Sequence, residues 1–147
     1  MGMKVMIATF VILGGIQLIS IDRTNPPVDK AQEIVVPPDV HAILRKGCYD
    51  CHSYETKWPW YSRIAPISWT IADHVEEGRE ALNFSEWNRY DQTKHEKLLK
   101  EIYREAYAAM PLSSYVAFHK EADLTPQERE LVRAWTGVRA DMLENHR

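Results

Sequence analysis

The chain contains two cysteines, Cys48 and Cys51, and His52 follows the second directly. One C-x-x-C pair is too little for a disulfide-stapled fold, which needs several bridges. On one helical turn, two thiols at this spacing can reach the two vinyl groups of a porphyrin, and the adjacent imidazole then falls beneath the iron. C-x-x-C-H is the attachment sequence of c-type haem. We therefore predict one haem, bound covalently through Cys48 and Cys51, with His52 as an iron ligand.

Two other interpretations of the motif are weaker. A thioredoxin-like redox pair belongs to a βαβ unit, and no alternating strand pattern of useful length is present. A zinc site would need a second paired set of ligands, whereas His74, His95 and His119 are isolated in the sequence. His74 is interpreted as a structural residue and His95 as an exposed one.

Composition limits the class of protein further. A length of 147 residues suits one compact domain, and a hydrophobic fraction of 45% is ample for a core. The formal net charge of -3 gives no electrostatic footprint for nucleic acid, so we expect no nucleic-acid partner.

The first 23 residues contain a nearly unbroken apolar run, residues 5–21, between Lys4 and the polar pair Asp22 and Arg23. As a helix the run spans about 25 Å, slightly less than the ~30 Å hydrocarbon core of a membrane. No pair of small residues marks a cleavage site after it. We interpret residues 1–23 as a signal anchor that contacts the membrane, with a cleaved signal peptide as the alternative. The remainder is then expected on the periplasmic side of the bacterial inner membrane, or soluble in the periplasm if the segment is cleaved.

After this segment the sequence divides into a tether and a domain. Proline pairs at 26–27 and 37–38 mark residues 24–38 as a semi-extended, proline-rich tether. Residues 39–147 show helical periodicity and form the domain, which is predicted to be all-α and cytochrome c-like. Helices are expected at residues 40–46, with Asp39 as N-cap, at residues 66–82, and at residues 92–109, with Asp91 as N-cap. A further helix is expected after the capping box Thr125–Glu128, with one apolar stripe formed by Leu131, Trp135, Val138 and Met142.

Met110 is the predicted sixth iron ligand, opposite His52. It lies where the helix at 92–109 ends, because a residue that precedes proline is pushed out of the α region. Pro111 stiffens the backbone, and the small pair at 108–109 leaves room for a flat ring. His119 is the rival ligand, and Met142 is less favoured because it continues the stripe of the last helix. The other alternative is that Met110 fills a gap in the core.

Aromatic residues follow the cysteine motif closely and could supply flat apolar surface for a porphyrin. Ordinary core packing is an equally good explanation for any one of them. Arg63 could pair with a haem propionate, since a guanidinium binds carboxylates in a fork geometry. The predicted haem contacts are Trp58, Trp60, Tyr61, Arg63 and Trp69.

Five blocks of sequence carry a family resemblance. They read GCYDCHS at 47–53, ETKWPWYSRIAP at 55–66, LNFSEW at 82–87, MP at 110–111 and LTPQE at 124–128. In these blocks the chain resembles the bacterial c-type haem-binding domain family of small exported cytochrome-like domains. The resemblance covers about residues 36–138 and implies a monohaem helical fold in the periplasm or on its membrane. In the family that the chain resembles, a Met-Pro pair follows a helix at the place that Met110 and Pro111 occupy here.

These observations favour an electron carrier rather than an enzyme, acting with a redox partner protein of unknown identity. The alternative is a haem-based sensor, a gas-binding module or a weak peroxidase, each of which needs a labile sixth ligand. A third interpretation is a binding or assembly domain in which haem is mainly structural.

Overall fold

The computed structural model describes residues 2–139 and, within that range, contains helices and no strand, so the all-α prediction is confirmed. Met142 lies outside the described residues. The α-helices are α1 (Gly2–Ile16), α2 (Pro38–Gly47), α3 (Tyr49–His52), α4 (Ile67–Ala81), α5 (Gln92–Ala108), α6 (Ser113–Phe118) and α7 (Pro126–Trp135), and short 3-10 helices span Trp60–Arg63, Phe84–Arg89 and Lys120–Ala122.

The N-terminal helix α1 is apolar, and none of its side chains is buried. It has 15 residues, so it rises about 22 Å, less than the ~30 Å hydrocarbon core. The helix ends just before Gln17, whose side-chain amide donates to the Ala65 carbonyl and accepts from the Ala65 N–H, both at 3.0 Å. Among the described residues no helix combines the length and the hydrophobicity needed to cross a membrane. The predicted membrane-spanning anchor is therefore not supported.

The proline-rich segment at residues 24–38 packs against the domain. Ile34 is 5% exposed and belongs to the core, and its N–H donates to the Phe84 carbonyl at 2.9 Å. The Asn25 side chain donates to the Thr56 carbonyl at 2.9 Å. These contacts fix the segment against the helical domain. The sequence predicted a semi-extended tether and did not indicate the contacts.

The core lies where α2, α5 and α7 pack together, with Tyr49 of α3 and Phe84 stacked at a ring-centroid distance of 5.2 Å. Burial of such aromatic and aliphatic side chains is the main stabilising contribution to a domain of this size. The buried core residues are Ile34, Val40, Ile43, Leu44, Tyr49, Phe84, Ile102, Ala106, Leu124 and Val132.

The starts of α5 and α7 follow the capping chemistry in the sequence, whereas the start of α2 does not. Asp91 accepts from the Lys94 N–H at 2.7 Å at the start of α5, and α7 begins with a complete capping box. However, α2 begins at Pro38, so Asp39 lies in its first turn instead of capping it. In α7 the buried residue is Val132, whereas Leu131 is 45% exposed. Trp135 of the predicted stripe packs against the core, so Leu131 is the member of the stripe that differs from the prediction.

Candidate functional site

A cleft of about 530 Å³ lies between the cysteine motif, α4 and the segment that follows α5. Its volume is within the range of roughly 300–1,000 Å³ typical of sites for small molecules and cofactors. The lining comes from three stretches of chain, namely residues 47–61, 67–81 and 110–118. Sequence-distant residues are thus brought to one place.

Both cysteines line this cleft. Cys48 lies between α2 and α3, and its N–H donates to the Leu44 carbonyl at 2.8 Å. Cys51 is one turn further on, and its N–H lies 3.2 Å from the Cys48 carbonyl. Burial raises the pKa of the Cys48 thiol to about 12 and that of Cys51 to about 11. Both side chains are therefore neutral thiols near pH 7 and face the same space.

His52 also lines the cleft, and its ring is held by the end of α4. Its Nδ1 lies 2.8 Å from the Gly78 carbonyl oxygen and 3.1 Å from the Leu82 carbonyl oxygen. Because carbonyl oxygens only accept, Nδ1 must carry the proton, which leaves a lone pair on Nε2. Burial lowers the pKa of His52 below its ordinary value of 6.5. The ring is thus a neutral imidazole in the tautomer that ligates a metal through Nε2.

Gly78 makes this arrangement possible. A Cβ at this position would lie 2.6 Å from the Cys51 carbonyl oxygen, so a larger residue would force α4 away from α3. The close approach of the two backbones places the Gly78 carbonyl within reach of the His52 ring. An isolated glycine inside a helical pattern is a signal of close packing, and the sequence offered that signal.

Met110 reaches the same cleft from the far end of α5. Its N–H donates to the Glu105 carbonyl at 2.9 Å, and its carbonyl accepts from Arg129 at 2.6 Å. The helix before it ends at Ala108, one residue before the predicted end. The structure therefore brings His52 and Met110 together across more than fifty residues of sequence. Nothing in the sequence pointed to Arg129.

The rival ligand His119 has both ring nitrogens engaged. Its Nε2 lies 2.5 Å from the Tyr61 hydroxyl oxygen, and its Nδ1 lies 3.1 Å from a Glu121 carboxylate oxygen. The ring also stacks on Tyr115 at a centroid distance of 4.4 Å. His119 is not among the cleft-lining residues. Of the two predicted candidates, Met110 is therefore the one that lines the cleft.

Of the predicted haem contacts near the motif, only Tyr61 lines the cleft. Residues three apart in a 3-10 helix share a face, so Trp60 and Arg63 lie together on the outside, and Trp60 is 74% exposed. The indole N–H groups of Trp58 and Trp69 are buried and have no partner among the described residues. The structure thus gives no support to haem contact by Trp58, Trp60, Arg63 or Trp69.

Other residues supply the surface that those aromatics were expected to provide. Ile67, Ile71 and Phe118 contribute apolar lining, and His74, interpreted from sequence as structural, lines the cleft as well. Lys57 is the one lysine or arginine in the described lining, so it replaces Arg63 as the candidate partner for a carboxylate. These residues could not be predicted from the sequence because their spacing along the chain forms no motif.

The chemistry of this cleft can be compared with what a haem requires. A haem needs a flat apolar pocket, nitrogen or sulfur ligands for iron, and here also two thiols for covalent attachment. The cleft supplies Cys48, Cys51, an Nε2 lone pair on His52 and the thioether of Met110 within one apolar lining. The residues that line the cleft fit a haem.

Fold and site together define a small all-α protein with a cleft equipped for haem. Comparison with protein families agrees, since the model of the haem-binding domain family matches residues 11–137. The match covers most of the chain, and the protein belongs to this family. No curated protein and no solved structure matches the chain.

Proposed function

We propose that this protein is a monohaem c-type cytochrome domain that carries electrons. In this proposal Cys48 and Cys51 would attach the haem covalently, and His52 and Met110 would bind its iron. A haem with His and Met ligands supplies a one-electron ferric–ferrous couple. The function requires a partner that delivers or accepts the electron, and we propose a redox protein for that role.

The observation that carries the proposal is the presence of both ligand candidates and both thiols in one cleft. The His52 ring is neutral and is held through Nδ1, so it can present Nε2 without reorganising. Met110 follows directly after α5, on a backbone held at both its N–H and its carbonyl. A site with two ordered axial ligands suits electron transfer, because ligands that stay in place need little rearrangement when the charge changes.

The rest of the lining has supporting roles in this proposal. Ile71 and Val75 add apolar lining to the cleft, and Tyr61 adds an aromatic surface. Phe118 lines the cleft and is 72% exposed, so the cleft reaches the protein surface. Lys57 is exposed at the same cleft and can neutralise a carboxylate there. An electron can then be exchanged with a partner without the partner entering the core.

We further propose that the domain works on the periplasmic side of the bacterial inner membrane. Covalent attachment suits an exported protein, because lost haem could not easily be recaptured there. The apolar N-terminal segment after Lys4 is of the type that directs export. N-terminal sequencing and fractionation of the mature protein from a bacterial host test this part. Recovery of haem-loaded protein with the cytoplasmic fraction would contradict it.

The axial ligand is tested by spectroscopy of the haem-loaded full chain. Oxidised wild-type protein should show the weak near-infrared charge-transfer band of methionine-to-iron ligation. Met110→Ala should remove the band and allow the reduced protein to bind carbon monoxide. His119→Ala is the matched control and should retain the band. If wild type lacks the band, or if His119→Ala loses it instead, the assignment of Met110 is wrong. If wild type binds carbon monoxide readily, the alternative function of a sensor or gas-binding module is favoured.

A further inference from the structure

The side chain of Arg129 joins three separate stretches of backbone. Its Nη1 donates to the Ala106 carbonyl at 2.5 Å and to the Met110 carbonyl at 2.6 Å, and its Nε donates to the Leu124 carbonyl at 3.1 Å. The side chain is only 19% exposed. A single guanidinium therefore connects the end of α5, the segment at Met110 and the segment before α7.

These hydrogen bonds provide donors for carbonyl groups at the C-terminal end of α5. The last carbonyls of a helix have no partner within the helix and attract cations, but α5 has no basic residue in its last turn. The Glu105 carbonyl accepts from the N–H groups of Ala109 and Met110, which leaves the Ala106 carbonyl for Arg129. The positive charge at the C-terminus of α5 is thus supplied by Arg129 of α7.

We propose that Arg129 is a positioning residue that holds Met110 in the cleft. The inference rests on the proposed function, in which Met110 is an axial ligand. Arg129 binds the carbonyl of the ligand residue itself, and Ala106, its second acceptor, lies one helical turn earlier. Both acceptors are thereby fixed against α7, so the backbone that carries the thioether cannot move away from the cleft without breaking charge-assisted hydrogen bonds.

The geometry of the donor matters as much as its charge. A guanidinium presents its N–H groups in a rigid planar fork, which lets one side chain bind three fixed carbonyls. A lysine at this position keeps the positive charge but offers a single nitrogen on a flexible stem. Arg129→Lys consequently separates positioning from electrostatics. Asp123 is the carboxylate nearest to Arg129, at 3.7 Å from Nη2, and it is largely exposed.

The test compares haem-loaded full chains that carry Arg129→Lys, Arg129→Gln or Arg133→Lys. Arg133 is the matched control, because it lies one turn later on α7 and packs over the rings of Tyr103 and Tyr107 instead of binding the Met110 segment. In Arg129→Lys we expect carbon monoxide to bind the reduced protein about tenfold faster than in wild type. The near-infrared methionine band should weaken as well. The Arg133→Lys protein should match wild type in both measurements, and Arg129→Gln should show the effect at least as strongly as Arg129→Lys.

A purely structural role predicts a different result. If Arg129→Lys lowers the unfolding temperature but keeps the band and the carbon monoxide rate of wild type, the inference is overturned. If wild type itself lacks the band, the ligand assignment of Met110 fails, and hydrogen–deuterium exchange of residues 106–112 then decides on Arg129. Faster exchange there in Arg129→Lys than in Arg133→Lys upholds the holding role, and equal exchange overturns it.

Discussion

The two sides of the cleft are held in different ways. On the His52 side, the ring is bound by two backbone carbonyls of the α4 end, and Gly78 lets the two helices touch. On the Met110 side, the ligand segment is held by the side chain of Arg129, which reaches across from α7. Both hydrogen bonds to the His52 ring come from backbone carbonyls. The Met110 N–H is also bound by a backbone carbonyl, that of Glu105, but the Met110 carbonyl depends on a side chain, which can release its acceptors more easily. In the proposed haem site, ligand exchange is therefore expected to begin at Met110.

This difference also connects the two functions considered for the domain. An electron carrier needs both ligands to stay, and a gas sensor needs the sixth ligand to leave. The His52 side suits both functions. How firmly the Met110 segment is held therefore decides between an electron carrier and a gas sensor. Separate variants test the His52 side and the Met110 side.

The largest effect is expected on the covalent attachment. Replacing Cys48 and Cys51 together by Ala should abolish haem staining of the denatured protein on a gel, because no covalent bond then retains the group. Met110→Ala should keep the stain, since the axial ligand does not attach the haem. Extraction of the haem from wild-type protein by acid acetone would show that the attachment is not covalent.

The next effect concerns the contact between α3 and α4. Gly78→Ala should lower the free energy of unfolding by about 2 kcal/mol, because the new methyl group meets the Cys51 carbonyl and overpacks the site. Chemical denaturation measures this loss. Gly15→Ala is the matched control, as a Cβ there meets nothing within 4 Å. Equal stability of Gly78→Ala and Gly15→Ala would contradict the proposed close approach.

A smaller effect is expected where α6 meets the cysteine motif. The Tyr115 hydroxyl donates to the Asp50 carboxylate at 2.6 Å, which ties the Met110 side of the cleft to α3. Tyr115→Phe should reduce the free energy of unfolding by about 1–2 kcal/mol. The control Tyr107→Phe removes a longer, exposed hydrogen bond of 3.3 Å to Pro126 and should cost less. Similar losses in the two variants would show that the Tyr115 bond does not link the sides.

The smallest effect is a pH-dependent one at the start of α7. Glu128 accepts from Lys46 Nζ at 2.8 Å and from the Thr125 N–H at 2.8 Å, and these bonds hold the pKa of its carboxyl below the ordinary value of 4.5. A lowered folded pKa stabilises the protein above the unfolded pKa, and the contribution is lost as the pH falls through the folded pKa. Glu128→Gln should therefore cost about 1 kcal/mol at pH 7.

Urea unfolding at several pH values checks this dependence. The difference between wild type and Glu128→Gln should shrink progressively below pH 4.5, where the carboxyl becomes protonated. Glu130→Gln serves as control, because Glu130 is exposed and lies 3.8 Å from Arg133. A difference that stays constant down to acid pH would show that the carboxylate charge plays no part.

Features with a local signal could be predicted from the sequence. The order Cys48, Cys51, His52 places three chemical groups within one turn, and proline after Met110 marks the end of a helix. Helical periodicity likewise predicted the all-α class, because α2, α4 and α5 each bury residues at helical spacing. These features can be interpreted without knowledge of the partners in space.

Features that depend on the angle of one element to another could not be predicted in this way. Trp60 and Arg63 were expected at the haem, but a single 3-10 turn places them outside and leaves Tyr61 at the cleft. Val132, and not Leu131, faces the core, because the rotation of α7 is set by its packing against α2 and α5. Arg129 acts on acceptors about twenty residues away, and no spacing rule indicates such a contact.

The first turn of α7 has a consequence for any shortened version of this protein. Glu128 binds Lys46, two residues before Cys48, and its neighbour Arg129 binds Met110. Helix α7 therefore connects two parts of the site that precede it in the sequence. A chain cut before Pro126 would keep every predicted haem ligand and yet lose this connection. Fusion partners and purification tags consequently belong beyond the end of α7, at Trp135.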